Sequence, residues 1–363
     1  MSSTILALLR MTTDTTSEHS AASIESHFGG RFQWVVATIA MISVLLLVLR
    51  SDAGFDPVLA VASGYALGIS LVVAAWLLAQ FIWLRVQQKR QASGQTPDDP
   101  MVWYRAYFAT IRWGDILAAL IALIVTVSCF TVFKSTVVGA EGYGYDAMFI
   151  AWDRALFGGQ DPWVLSHAVL ATPALTKAID LLYHPAFFPM VVGYTVCIAA
   201  QGRPALRYTY MVSYLASFVI IGMIMASAMH SAGPIYDGVL FGDGTTFAPL
   251  IDRLAAQNQV AGPFSAVFAQ DYLLRLNELG VSGLGSGISA MPSMHIVLAF
   301  LWVLPAWHLN RALGAIVTVY AIIIWIGSVH LGWHYFVDGL VGLVVLGLIW
   351  YAAGRAFGLY GKA

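Results

Sequence analysis

The sequence predicts an all-α fold: a polytopic transmembrane helix bundle of about eight spans. Three observations carry this. Of 363 residues, 59% are hydrophobic and only 10% charged, whereas soluble globular domains carry about 25% charged residues. Mean hydropathy is +0.77. Long apolar stretches recur, each near the roughly 20 residues a helix needs to cross a bilayer. The formal net charge of −1 gives no electrostatic case for a nucleic-acid partner.

Residues 1–33 read as a disordered cytoplasmic tail. The stretch from Met11 to Gly30 (MTTDTTSEHSAASIESHFGG) is rich in Ser, Thr and acids, and the first long apolar run follows Arg31, as an uncleaved span would. The spans then run Trp34–Leu49, Pro57–Leu84, Gly114–Phe133, Leu181–Ala200, Tyr208–Met229, His295–Leu309, Leu313–Val329 and Phe336–Ala353. The sixth is short. The first three (34–133) form a group of N-terminal transmembrane helices. Between spans, Tyr145–Leu156 (YDAMFIAWDRAL) alternates apolar and polar residues at helical spacing, as an interfacial helix lying flat would. Cys129 and Cys197 lie in separate apolar runs and read as small packing side chains.

Basic residues in short loops set the orientation. Arg85, Lys89, Arg90, Arg105 and Arg112 follow the second span, so that loop is expected in the cytoplasm, with both termini on the same side in a plasma or inner membrane. The two long loops, 134–180 and 230–292, then lie outside and lean acidic. His184, His230, His295, His330 and His334 all fall at outer span ends. An ionisable group at membrane depth is a candidate functional group by default. The site is therefore expected to face the periplasm or the exterior.

Two motifs carry the chemistry. MPSMH holds Pro292, Ser293 and His295; GSVHLGWHYFVD holds Ser328, His330, His334 and Asp338. At positions i and i+4, His334 and Asp338 would share a helix face. The carboxylate would then hold one ring nitrogen and leave the other as a nucleophile. Pro292 and Ser293 suit the start of a helix, whose free amides bind phosphate well. His295 would stand above that anion as a general acid.

These motifs resemble the type 2 phosphatidic acid phosphatase superfamily, whose fold is shared with vanadium haloperoxidases. The stretches GISAMPSMH, SVHLGWHYFVDG and HSAGPIYD (His230–Asp237) look most like the branch of inositol phosphorylceramide and sphingomyelin synthases. The resemblance implies a catalytic transmembrane domain over 142–356 and phosphoryl transfer on a membrane lipid phosphate. It implies attack by His334 to give a phosphohistidine, support from Asp338, a proton from His295, and no cofactor or metal.

The chain departs from the phosphatase pattern at two places. No Lys with Arg-Pro precedes the first motif, and Gly327 and Ser328 stand where Ser-Arg is usual. The basic phosphate clamps are missing; Lys134, Arg154, Lys177, Arg253 and Arg275 are outer-side cations that could replace them, and His230 and His330, nearer the site, are the first expected phosphate ligands. Two other readings stay open: a metal-dependent hydrolase using His295, His330, His334 and Asp338, and a proton-relaying lipid transporter, against which the absence of an internal repeat argues. Substrate, acceptor and oligomeric state are not written in the motifs.

Overall fold

The computed structural model describes residues 15–51, 54–91, 113–137, 142–170 and 172–360. Among these the fold is all-helical, with 78% helix and no strands. Among the described residues seven helical stretches are long and apolar enough to cross a membrane, and Met294–Leu309 is a shorter apolar helix, which matches the eight spans and the short sixth.

The N-terminal group comprises α1 (Thr15–Arg50), α2 (Asp56–Gln91) and α3 (Trp113–Lys134). The sequence reading of a disordered tail through residue 33 is corrected here, because α1 is already helical at Thr15 and its spanning stretch begins at Phe28. Phe28 and Phe32, one turn apart, pack on Phe357, and Phe32 stacks on Tyr208 at 4.5 Å. That buried aromatic face extends the helix. Residues 1–14 and the basic loop at 92–112, with Arg105 and Arg112, lie outside the described residues.

Next come α4 (Asp146–Leu156), α5 (Pro162–Val169), α6 (Pro173–Tyr183) and α7 (Phe187–Ala199). The helix expected over Tyr145–Leu156 is present as α4. It buries Asp146, Phe149 and Asp153 and exposes Trp152 and Leu156, so its inward face carries two carboxylates. The fourth span, drawn from the sequence as one helix from Leu181, is divided. Its apolar length runs Pro173–Ala199, but α6 and α7 are separated at His184–Ala186, where Pro185 has no N–H to continue the ladder.

The most enclosed span is α8 (Pro204–Ala228), which widens into a π-helical segment over Phe218–Met225. The long loop after it contains helices that the sequence reading left as loop, α9 (Ala248–Ala261) and α10 (Ser265–Leu279). Both Asp180 oxygens cap α10, accepting from Ser265 N at 2.8 Å and Ala266 N at 2.7 Å. The chain closes with α11 (Met294–Leu309), α12 (Arg311–His330) and α13 (Phe336–Ala356). Asn310 turns α11 into α12 and caps the latter with its side chain. The end of α12 and the starts of α11 and α13 meet at one end of the bundle.

Candidate active site

His334 lies in the tight turn from α12 to α13. Trp333 N and His334 N both donate to the Ser328 carbonyl, at 2.9 and 3.2 Å, which fixes the turn. The His334 Nδ1 is 2.8 Å from Ala290 O and 3.1 Å from Asp338 Oδ2. Both partners are acceptors, so Nδ1 carries the proton and Nε2 keeps a free lone pair. The pair does not share a helix face as the spacing suggests, because the helix begins only at Phe336. Asp338, in the first turn of α13, folds back over the helix start, where Oδ2 also accepts from Tyr335 N at 3.1 Å.

His334 is 6% exposed. Burial pulls its ring down to about 3, and the charge of Lys134 adds to this. A cleft lined by Ile150, Asp153, Trp163, Pro234, Phe247 and Tyr335 reaches it.

His295 stands in the first turn of α11, which Ser293 caps by accepting from Ile296 N at 3.4 Å; the expected cap is there. Pro292 and Ser293 pack on α13, where a Cβ at Gly342 would lie 3.7 Å from Pro292 Cβ and Ser293 N is 3.5 Å from Asp338 O. The His295 ring is stacked on Tyr183 at 4.8 Å and lies 6.1 Å from the His334 ring. That separation is too wide for a hydrogen-bonded pair and suits two groups each about 3 Å from one reacting atom.

Several buried polar atoms nearby have no hydrogen-bond partner: His295 Nε2, Tyr183 Oη, Trp333 Nε1 and Ser231 Oγ. Buried polar groups are ordinarily satisfied, so a cluster of unsatisfied ones marks a place for a polar ligand. In the sequence the only signal of Tyr183, Ser231 and Trp333 is adjacency to His184, His230 and His334.

The two acids of α4 hold the site's loops together. Asp146 accepts from Ala232 N, from Gly233 N at 3.0 Å and from Tyr335 Oη at 2.9 Å. Asp153 accepts from Phe336 N at 2.8 Å and Val337 N at 3.0 Å, capping α13. Burial pushes Asp153 up to about 7 despite those donors, and raises Asp146 as well. Ser231 O takes the Ala290 amide at 2.9 Å, and Gly332 O takes that of Ile235 at 2.9 Å. HSAGP, the MPSMH approach and the His334 turn thus form one hydrogen-bonded unit.

The remaining candidates take other positions. His230 packs edge-on against Tyr145 at 5.1 Å, and among the described residues no ring contact joins it to His295 or His334. His330, expected as an anion or metal ligand, is fully buried with both ring nitrogens engaged, Nδ1 with Ser166 Oγ at 3.1 Å and Nε2 with Thr176 Oγ1 at 2.9 Å. Through these contacts it ties α5 and α6 to α12, and neither nitrogen points to a ligand in this structure. Ser328 Oγ donates to Trp325 O at 2.7 Å, so Ser328 serves the site through its carbonyl. His184, at the break in the fourth span, lies 3.4 Å from Asp180 and 5.4 Å from the Trp333 ring. Among the described residues no three His, Cys, Asp or Glu side chains gather as a metal site.

Bundle and family together define an integral membrane protein of the phosphatase type. The family model described as the PAP2 superfamily matches residues 147–352, more than half of the chain, and the chain belongs to that superfamily. No curated protein and no solved structure matches it significantly.

Proposed function

We propose that the protein is a membrane lipid phosphatase or phospho-head-group transferase working through a phosphohistidine on His334. The observation that carries this is the double anchoring of Nδ1 by Ala290 O and Asp338, which leaves Nε2 as a bare nucleophile beside His295. The Nε2 lone pair attacks phosphorus and forms an N–P bond. The P–O bond to the lipid alcohol breaks, and the leaving oxygen takes a proton from His295. In the second half, water or another hydroxyl gives a proton to His295 and attacks phosphorus, the N–P bond breaks, and His334 is restored. Tyr183, Trp333 and Ser231 supply donors to the phosphoryl oxygens, and the start of α11 adds its dipole.

The motif stretches favour a transferase resembling inositol phosphorylceramide synthase. The basic residues of the second-span loop and the acidic lean of the two long loops favour a site on the outer face, with both termini in the cytoplasm.

Product analysis tests the reaction. Purified protein in lipid is offered radiolabelled lipid phosphates, with and without ceramide, diacylglycerol and inositol. A new phospholipid that needs an acceptor identifies the transferase; free phosphate without one identifies the hydrolase. An acid-labile, base-stable label on the protein, lost in His334→Ala, is expected in both cases. Turnover that survives His334→Ala would sink the mechanism.

A further inference from the structure

The site's anion donors within the family-matched region are neutral, and the cations there are occupied or remote. Arg154 is held by both oxygens of Asp161, at 2.7 and 3.0 Å. Lys177 is paired with Asp180 and donates to Pro263 O. Arg253 donates to His167 O at 3.4 Å, and Arg275 is exposed on α10.

Lys134 differs from all four. It is the last residue of α3 and lies ahead of the matched region. Among the described residues its ammonium has no ion-pair or hydrogen-bond partner. Its backbone is pressed against the loop that leads into MPSMH: a Cβ on Gly287 would stand 2.6 Å from the Lys134 carbonyl carbon and 2.8 Å from its Cβ. Gly287 also has φ +87°, so glycine is required there twice over. The same loop is braced by Ser135 Oγ against Ser286 Oγ at 3.3 Å, and by Tyr65 Oη, which accepts from Gly285 N at 3.2 Å and bonds Thr131 Oγ1 at 2.9 Å.

From Gly287, three residues lead to Ala290, whose carbonyl anchors His334. That is at most about 10 Å of chain, and a lysine's four-carbon stem covers much of it. Lys134 adds to the lowering of the His334 ring, which agrees with this approach. The half-buried Lys134 ammonium has no counter-charge among the described residues, and a phosphoryl dianion between the two histidines would supply one.

We propose that Lys134, carried in by the N-terminal helices from outside the family's matched region, is the cation that binds the substrate's phosphoryl oxygens in place of the missing basic clamps. This rests on the phosphoryl-transfer reading of the same site. The N-terminal spans then complete the active site as well as anchor it.

The test compares wild type, Lys134→Met, Lys134→Arg, Arg275→Met and His334→Ala in lipid. Turnover of a lipid phosphate is measured together with inhibition and thermal stabilisation by orthovanadate, and melting without ligand reports folding. Lys134→Met is expected to keep its unliganded melting temperature, to lose about 10²-fold in kcat/KM, and to need vanadate at concentrations higher by a similar factor. Lys134→Arg should recover much of both losses, and Arg275→Met should resemble wild type. A Lys134→Met protein with wild-type turnover and vanadate response overturns the proposal. So does a loss of turnover with unchanged vanadate stabilisation. Wild-type turnover that is indifferent to vanadate and survives in His334→Ala defeats the phosphoryl-transfer reading itself, and Lys134 with it.

Discussion

Two buried polar clusters sit at opposite ends of α3, about 30 Å apart along its axis. At the Trp113 end, Asp115 accepts from Gln33 Nε2 at 3.0 Å and Tyr208 Oη at 2.7 Å, with Arg207 at 3.7 Å. At the Lys134 end, Tyr183 Oη, Trp333 Nε1, Ser231 Oγ and His295 Nε2 are equally buried yet have no partner. Both clusters bring costly groups to membrane depth. The first meets the cost internally, with a carboxylate facing its own donors, and so reads as a brace joining α1, α3 and α8. The second leaves its hydroxyl and indole donors open beside one unpaired oxygen of Asp338, and those open donors suit an anion. Polarity inside a bundle therefore does not by itself mark function; the unmet part of it does.

The largest expected effect that would break this contrast comes from the nucleophile. His334→Ala should lower turnover about 10⁴-fold with little change in the amount of folded protein, as judged by melting in detergent. His295→Asn should cost about 10²–10³-fold on an alkyl phosphate. The loss should shrink for an aryl phosphate, whose leaving group needs no proton; equal losses on both would remove His295 as the acid.

The contrast sharpens with the other cluster. Asp115→Ala removes the acceptor that Gln33, Tyr208 and Arg207 share and should cost about 3 kcal/mol or more of stability, lowering the melting temperature while the folded fraction keeps its kcat/KM. A drop in kcat/KM instead would mean that the Asp115 end belongs to the machinery. The smallest effect concerns pH. With its ring at about 3, His334 stays neutral at every pH above that value, and charging begins only as pH falls through it. Its diethylpyrocarbonate labelling, followed by mass spectrometry, should hardly change between pH 7 and 5. A histidine titrating at its ordinary pKa would slow about 25-fold over that interval.

Much of this was legible from hydropathy and spacing. Eight apolar stretches give the bundle, with seven helices of spanning length and the short α11. The spacing of His334 and Asp338 correctly paired them, for a different geometric reason: the carboxylate returns over a helix start instead of sharing a face. What stayed hidden depends on contacts distant in sequence. Nothing near His330 announces that Ser166 and Thr176 take both its nitrogens. The acids of α4 look like the polar side of a surface helix, and only the fold reveals the backbone amides they meet. The division of the fourth span was signalled by Pro185, but its length of apolar sequence masked it. Helices α9 and α10 have weaker apolar patterns and owe their position to docking, through Asp180 for one and Leu250 with Leu254 for the other.

Asp146 has a consequence for how this protein can be divided. It lies one residue before the family match begins at 147, yet its carboxylate joins HSAGP to Tyr335. The recognisable stretch is therefore not a self-sufficient module. A fragment trimmed to the family's borders would keep every motif histidine and lose a knot that holds them in register. Exchanging front halves between relatives would break the same knot unless both sides of that junction travelled together.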